Sequence, residues 1–359
     1  MLNPTYYTSK DAGITWPSPA AVSIRSAYKS SYYAIYHMLK SCLVEGYPGK
    51  PAAGWSMLFD EIALGTGIRY ALTNAARSGV ILVDNPDPSN VYLRSRITVC
   101  EALPDLDTPI NPWSHKYGPQ AGEAGNGHWW CPDSNSGFYS ESAATIAPFF
   151  LVANENACFF SLHSQENQIY TTSLTGSYTE NIIAAYLGAS NGAASLGTIS
   201  APELGNFMVM GGTALTYATA ATSQDHKLFY NSGAPSTVTS SLRDHTGAAH
   251  TTEPPMFGNS VTQGQTTPTA PLGAQTHCYI VPLLAGPAVG YSYTAHTSFR
   301  SPLHVNLAGW NAAATREILQ LNGGDFYTPT TIDGREYVAF TGLSYVYCPL
   351  ISLDPADWL

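Results

Sequence analysis

Charge is scarce in this chain. Asp, Glu, Lys and Arg make up 11% of its 359 residues, against about 25% in an average soluble protein. A helical bundle, whose exposed faces need Glu and Lys, fits such a composition poorly. Lys and Arg number only 15 and lie scattered, and the formal net charge is -10. A broad nucleic-acid footprint or an attachment to anionic lipid, both of which need clustered cations, is therefore not expected. Long apolar runs are also missing: the stretch 280–290 falls well short of the roughly 20 residues that cross a bilayer. The opening Met-Leu-Asn-Pro-Thr-Tyr-Tyr has neither a basic nor an apolar signal region, so synthesis in a cytoplasm is the expectation.

The motifs of common enzymes are sparse as well. No His-Glu-x-x-His and no Gly-x-x-x-x-Gly-Lys-Ser/Thr occurs, and no nucleophile elbow on a strand-to-helix turn is read. The expectation is a protein without enzymatic activity, cofactor or metal. Carboxylate pairs for glycoside cleavage stay open, because their separation is a property of the fold. The pairs in question, Asp84 with Asp87 and Asp105 with Asp107, sit in Pro-rich turns where Asp is common anyway. His115, His128, His245 and His250 share no ligand spacing of a known kind and read as surface or interface residues. Glu45 and Lys50 flank a turn at a helix exit and read as capping and solvating groups. Six cysteines, Cys42, Cys100, Cys131, Cys158, Cys278 and Cys348, form no Cys-x-x-Cys pair. Free buried thiols are expected, although an even count also allows three disulfides.

What the chain has in quantity is Gly (31), Pro (25) and Tyr (23), a composition of short strands joined by punctuated turns. The expected fold is mainly β: a β-sandwich-like or open β-sheet domain with one N-terminal amphipathic helix packed on the sheet and long interface loops. Helical spacing is sustained only in 18–46, where Ile24, Tyr28, Ile35, Leu39 and Leu43 fall on one stripe. Ser18 suits the N-cap, Pro19 the first turn, and Gly46 the left-handed position beyond the last turn. Residues 1–17 read as an arm rather than a core element. Residues 18–359 read as a single domain with insertions at 104–142 and 232–274.

Strands are expected at 55–59, 68–72 and 79–84. Another is expected over 90–101, with a bulge near Ser95, and the clearest hairpin is 147–163 around Asn154-Glu155-Asn156. A short helix is read at 181–187, strand-like patterning from 204, and further strands at 277–284, 337–340 and 345–351. The adjacent Trp129 and Trp130, with Trp113, Trp310 and Trp358, are candidate interface residues. Aromatics are enriched where subunits meet, although stacking on sugars would call for the same residues.

The order of these blocks resembles a family of virion structural proteins of tailed bacteriophages. The resemblance rests on Cys42-Leu-Val-Glu-Gly-Tyr-Pro-Gly-Lys-Pro-Ala-Ala-Gly-Trp55, Val80-Ile-Leu-Val-Asp84 and Val91-Tyr-Leu-Arg-Ser-Arg96. It also rests on Pro148-Phe-Phe-Leu-Val-Ala-Asn-Glu-Asn-Ala-Cys-Phe-Phe160, Phe299-Arg-Ser-Pro-Leu-His304, Tyr337-Val-Ala-Phe340 and the closing Asp357-Trp358. It implies a structural place in a virion, with copies of the same chain and other virion proteins as partners. A host surface glycan or receptor is a further partner if the chain sits at the tail tip. The two insertions lie outside the pattern.

Overall fold

The structure, a computed structural model, describes residues 3–16, 31–63, 67–84, 95–112, 128–130, 146–163, 182–189 and 207–211. Beyond these it describes short strands between 240 and 305, then 327–332, 334–339, 350–355 and 358. The described chain is mostly β, with antiparallel sheets and one short helix. In order come β1 (Thr5–Thr8), helix α1 (Ser31–Leu39) running into a π-helical turn (Lys40–Glu45), β2 (Ser56–Ala63), β3 (Gly67–Thr73), β4 (Val80–Asp84), β5 (Ser95–Cys100) and β6 (His128–Trp130). There follow β7 (Phe149–Ala153), β8 (Ala157–His163), β9 (Ile182–Ala189), β10 (Phe207–Gly211) and β11 (Ser240–Ser241). The last are β12 (Pro255–Phe257), β13 (Cys278–Tyr279), β14 (Pro282–Leu284), β15 (His304–Val305), β16 (Thr330–Ile332), β17 (Arg335–Ala339) and β18 (Leu350–Ser352).

Two sheets carry the core. One has the order β2-β3-β4-β5-β6 and the other β1-β7-β8-β9-β10-β11. Strand alternation sends Tyr70, Leu72, Ile81, Val83, Ile97 and Val99 of the first into the same apolar cluster as Phe149, Leu151, Cys158, Phe160, Leu187 and Val209 of the second. The helix contributes Ala34, Ile35, Met38, Leu39, Cys42 and Leu43 to that cluster. Instead of an amphipathic stripe, all six residues 34–39 are buried, the pattern of a helix enclosed on every side. Its Ser18 and Pro19 start lies outside the described residues. Its end is as expected: the Gly46 N–H donates to Ser41 O at 2.8 Å, and Gly46 has a φ of +70°.

The six-stranded sheet is covered on its other face too. Phe150 stacks on Tyr327 with ring centroids 4.8 Å apart, and Phe159 meets Trp358 edge-on at 6.5 Å. Every described residue of β7 and β8 is buried, which explains near-continuous apolar runs in place of alternation. The far face of the five-stranded sheet buries Ala71, Val80, Leu82 and Cys100 under Leu103 and Leu106. Those two belong to a loop closed by paired bonds between residues 101–102 and Ile110. The start of the 104–142 insertion is thus a cover for the sheet. Most of that insertion, and of 232–274, lies outside the described residues.

Several expectations are corrected. Residues 1–17 are not merely an arm: β1 pairs with β7 in the register Thr5 to Ala153, and Tyr6, Tyr7, Ile14 and Trp16 are buried. Residues 182–187, within the stretch expected as a helix, belong to strand β9, whose place between β8 and β10 overrides the helix preference of Ala184 and Ala185. The described irregularity falls between Met57 and Phe59. Residues just before Ser95, where a bulge was expected, lie outside the described residues.

Gly188 has φ +137°, and a Cβ there would sit 2.4 Å from Asn156 O and 2.5 Å from Ala157 Cα. Gly49 has φ +91° with nothing within 4 Å. Gly188→Ala is expected to cost about 2–4 kcal/mol through strain plus collision, and Gly49→Ala only about 1 kcal/mol through strain alone. Urea unfolding midpoints of the two variants check this, and equal shifts would contradict it.

Candidate functional site

Two clusters of described polar side chains that meet across elements lie at the helix exit. Tyr36 and Lys40 stand one helical turn apart, so both reach the edge strand β2. The Lys40 ammonium donates to Asp60 Oδ2 at 2.7 Å and to the Tyr36 hydroxyl at 3.0 Å, and that hydroxyl donates to Asp60 Oδ1 at 2.7 Å. Glu45 Oε1 lies 3.4 Å from the same ammonium. Burial and the hydrogen bond to Asp60 push the Tyr36 hydroxyl up to about 12. Burial works against the charge on Lys40, but its bonds to Asp60 and Tyr36 outweigh this and raise its pKa. A lysine held charged beside a phenol held protonated supplies neither nucleophile nor base near neutrality. Chemically the cluster ties the helix to the sheet.

A second cluster ties down the N-terminus. Tyr47-Pro48-Gly49-Lys50 closes a turn by reciprocal backbone bonds of 2.9 Å between Tyr47 and Lys50, with Pro and a positive-φ Gly in the central places that a type II turn requires. From this turn the Tyr47 hydroxyl donates to Asp11 Oδ2 at 2.5 Å, and the Lys50 ammonium donates to Tyr6 O at 2.5 Å. The same ammonium stands 3.8 Å from Asp11 Oδ1. The Tyr7 hydroxyl donates to Pro51 O at 2.8 Å. Gly13 packs so closely that a Cβ there would collide with Pro48 O. Burial raises the pKa of both Tyr7 and Tyr47. Glu45 and Lys50, read from sequence as solvated caps, are therefore members of these two clusters.

The third junction is the hairpin turn Asn154-Glu155-Asn156. Its Asn154 Oδ1 accepts the N–H groups of Asn156 and Ala157, both at 2.9 Å, an Asx turn. All three of its carbonyls face outward to other elements. Asn154 O accepts the Trp55 indole N–H at 2.9 Å, Glu155 O the Ala75 N–H at 2.9 Å, and Asn156 O both the Asn74 amide at 3.0 Å and the Ala189 N–H at 2.9 Å.

The expected candidates do not assemble into a site among the described residues. Trp358 is buried in the chain's own core, its indole N–H donating to Ser352 O at 2.7 Å. Trp129 and Trp130 lie on β6, paired with Arg96 and Ser95. Trp113 and Trp310 lie outside the described residues, as do Asp87, His115, His245 and His250; His128 opens β6. Asp84 is engaged by the Arg96 guanidinium through bonds of 2.8 and 2.6 Å. Asp105 accepts the Asp107 N–H, which holds its carboxyl below its ordinary value, the wrong direction for a general acid. Asp107 pairs with Arg69 at 2.7 Å. Cys42, Cys100 and Cys158 are free and buried. No group of three metal-ligating side chains occurs among the described residues, and no helix among them is long and apolar enough to cross a membrane.

One stretch, Gly188-Ala-Ser-Asn-Gly192, carries the bare Gly-x-Ser-x-Gly spacing that the sequence reading passed over. Its Gly188 packs inside β9 against the hairpin turn, and Ser190 lies outside the described residues. Sequence reasoning also missed Tyr36, Asp60, Asp11 and Tyr47. The Tyr-x-x-x-Lys spacing on a helix was the available signal for the first cluster. Comparison with protein-family models, curated proteins and solved structures found no match to the chain.

Two expectations concern hydroxyls and imidazoles. The Tyr70 hydroxyl is fully buried with no hydrogen-bond partner among the described residues, whereas Tyr36 spends its hydroxyl on Asp60. Tyr70→Phe removes an unsatisfied group and is expected to stabilise by up to about 1–2 kcal/mol, while Tyr36→Phe destabilises by about 1–3 kcal/mol. Chemical denaturation of both variants reads the opposite signs.

His37 and His163 are buried, and burial holds their pKa values down to about 4 and about 3. Both values lie below that of an unfolded His, about 6.5, so the stabilisation is complete above that pH and is lost as pH falls below it. Between pH 6.5 and 5 the unfolding free energy should fall by up to about 1.4 kcal/mol per pH unit for each histidine. A flat profile in that window would refute it.

Proposed function

We propose that this chain is a non-enzymatic structural component of a tailed-bacteriophage virion, assembling in multiple copies through its loops and termini. The tail or its distal apparatus is the favoured position, with capsid decoration or the neck second. In this reading the two large sheets form a sandwich around α1, and the loops beyond the sheets carry the contacts between copies.

One observation carries the reading. Four of the blocks on which the phage resemblance rests meet in the structure: Trp55 of the first bonds Asn154 of the hairpin block, and Asp84 bonds Arg96. Supporting it, the polar clusters at the helix exit bind elements to one another and present no reactive group.

The test is quantitative mass spectrometry of salt-washed particles of the phage that encodes the chain. Tens of copies or more per particle are expected. Absence from the particle, with the protein left in the lysate, would overturn the proposal. A handful of copies would replace it with a receptor-binding role at the tail tip.

A further inference from the structure

We infer that strands β16–β18, with Tyr327 and Trp358, form an acid-released cover over the outer face of the six-stranded sheet, and that His163 is its trigger. The device lies within one chain and does not depend on the virion reading.

Neighbouring rings on β7 and β8 point to opposite faces of the sheet. Phe149 and Phe160 join the core between the two large sheets, whereas Phe150 and Phe159 face outward, onto Tyr327 and Trp358. His163 lies on that outer face two residues beyond Ser161, and both side chains are fully buried. One imidazole nitrogen, Nε2, is bonded to Ser161 Oγ at 2.9 Å. The other, Nδ1, has no hydrogen-bond partner among the described residues. Phe150 meets the imidazole edge-on with centroids 5.8 Å apart, and Tyr327 stacks on Phe150. In either tautomer of the neutral ring, protonation therefore leaves an Nδ1–H without an acceptor and a full charge in an aromatic setting.

The described titratable and charged groups on the surrounding elements are engaged elsewhere or face solvent. On the N-terminal segment, Lys10 holds its ammonium 5.4 Å over the Tyr327 ring, and Asp11 is bonded to Thr8 and Tyr47. On β9, Tyr186 gives its hydroxyl to Ala189 O. On the cover, Arg335 lies 3.8 Å from Asp354, and Glu336 is exposed. Burial is what holds the imidazole down to about 3.

Once uncovered, the ring titrates at its ordinary value of about 6.5. The open state thus binds a proton that the closed state refuses, so opening is favoured as pH falls from about 6.5 towards 3, by up to about tenfold per pH unit. Above about 6.5 the cover stays shut at its full strength. The cover yields before the sheet because β8 is paired on both sides, by β7 and β9, and its inner face is locked in the shared core. The described strands of the cover pair only with one another. Its release turns a closed sheet face into an exposed aromatic one.

Hydroxyl-radical footprinting of the full chain, read residue by residue by mass spectrometry, tests this with a control built into the same peptides. Between about pH 6.5 and about pH 4.5, oxidation of Phe150, Phe159 and Trp358 is expected to rise by up to about a hundredfold, while Phe149 and Phe160 stay protected. His163→Gln, which cannot take up the proton, is expected to keep the outer rings protected at the lower pH. Unchanged labelling of the outer rings would overturn the inference, as would the same acid rise in His163→Gln. Inner and outer rings labelled together would overturn it too. That is the signature of whole-fold opening or of His37, which packs on Trp16 beside Phe149. Where His163→Gln does not fold, the contrast between Phe159 and Phe160 in the unaltered chain decides the matter by itself.

Discussion

Three consecutive carbonyls hold this structure in register. Asn154, Glu155 and Asn156 turn the chain between β7 and β8, and each gives its oxygen to a donor from elsewhere: the Trp55 indole, the Ala75 amide, and the Asn74 side chain together with the Ala189 amide. Trp55 is 99 residues away in sequence and Asn74 is 82. A buried carbonyl that loses its partner costs about 1–3 kcal/mol, so the turn, the entry to β2, the β3–β4 connection and the end of β9 must be right together. A slip of one residue in β7 or β8 would move those oxygens away from their donors. It would also turn Phe149, Leu151 and Phe160 out of the shared core. The Asx turn formed by Asn154 keeps the loop short enough for this, and Gly188 leaves room for β9 to approach it.

This constraint explains which parts of the fold could be read from the residues. The 147–163 hairpin was legible because apolar strands flank a turn whose residue types have one geometry. The stretch Val80–Asp84 was legible as buried for the same reason. The end of the helix at Gly46 was legible because only glycine takes that φ cheaply. By contrast, β9 reads as a helix from its Ile-Ile-Ala-Ala-Tyr-Leu run, and nothing local reveals that strands on both sides demand small residues there. The N-terminal strand was hidden by its polar composition. Tyr7 enters the core with its hydroxyl on Pro51 O, 44 residues on, a partner no local pattern reveals. Of the candidate interface residues, Trp358 shows the limit most plainly: a tryptophan next to the end of a chain looks free to meet a neighbour, yet Phe159 and Ser352 claim it.

The polar clusters were still less legible, since each is made of residues far apart in sequence that gain meaning only when the sheet edge and the helix exit come together. Asp60 looks like an ordinary strand charge, and Asp11 like a residue of a polar arm. In the fold, Asp60 anchors Lys40 and Tyr36, while Asp11 gathers Thr8, Tyr47 and Lys50. Both clusters attach an element that enters late or ends early, the π-helical turn in one case and β1 in the other. These attachments are also where an edge strand is closed to stray pairing: the Lys40–Asp60 pair and the irregularity at Met57 both lie on β2, the terminal strand of its sheet.

The scarcity of charge and the abundance of tyrosine are two sides of one solution. A protein usually fixes its elements to one another partly with Lys and Glu at the margin of the core. Here the hydroxyls of Tyr7, Tyr36, Tyr47 and Tyr186 reach Pro51, Asp60, Asp11 and Ala189 from rings that are themselves core or its border. A ring fills volume and ends in one polar handle, so it joins an apolar interior to a backbone or carboxylate acceptor without burying a full charge. That arrangement needs an acceptor at a fixed distance, and it works only where turns place carbonyls and carboxylates reliably. The Pro-Gly turn at 47–50 and the Asn-Glu-Asn turn at 154–156 are such places. The composition that first seemed to describe only what the chain lacks is what a scaffold of short strands, rigid turns and hydroxyl-tipped rings requires.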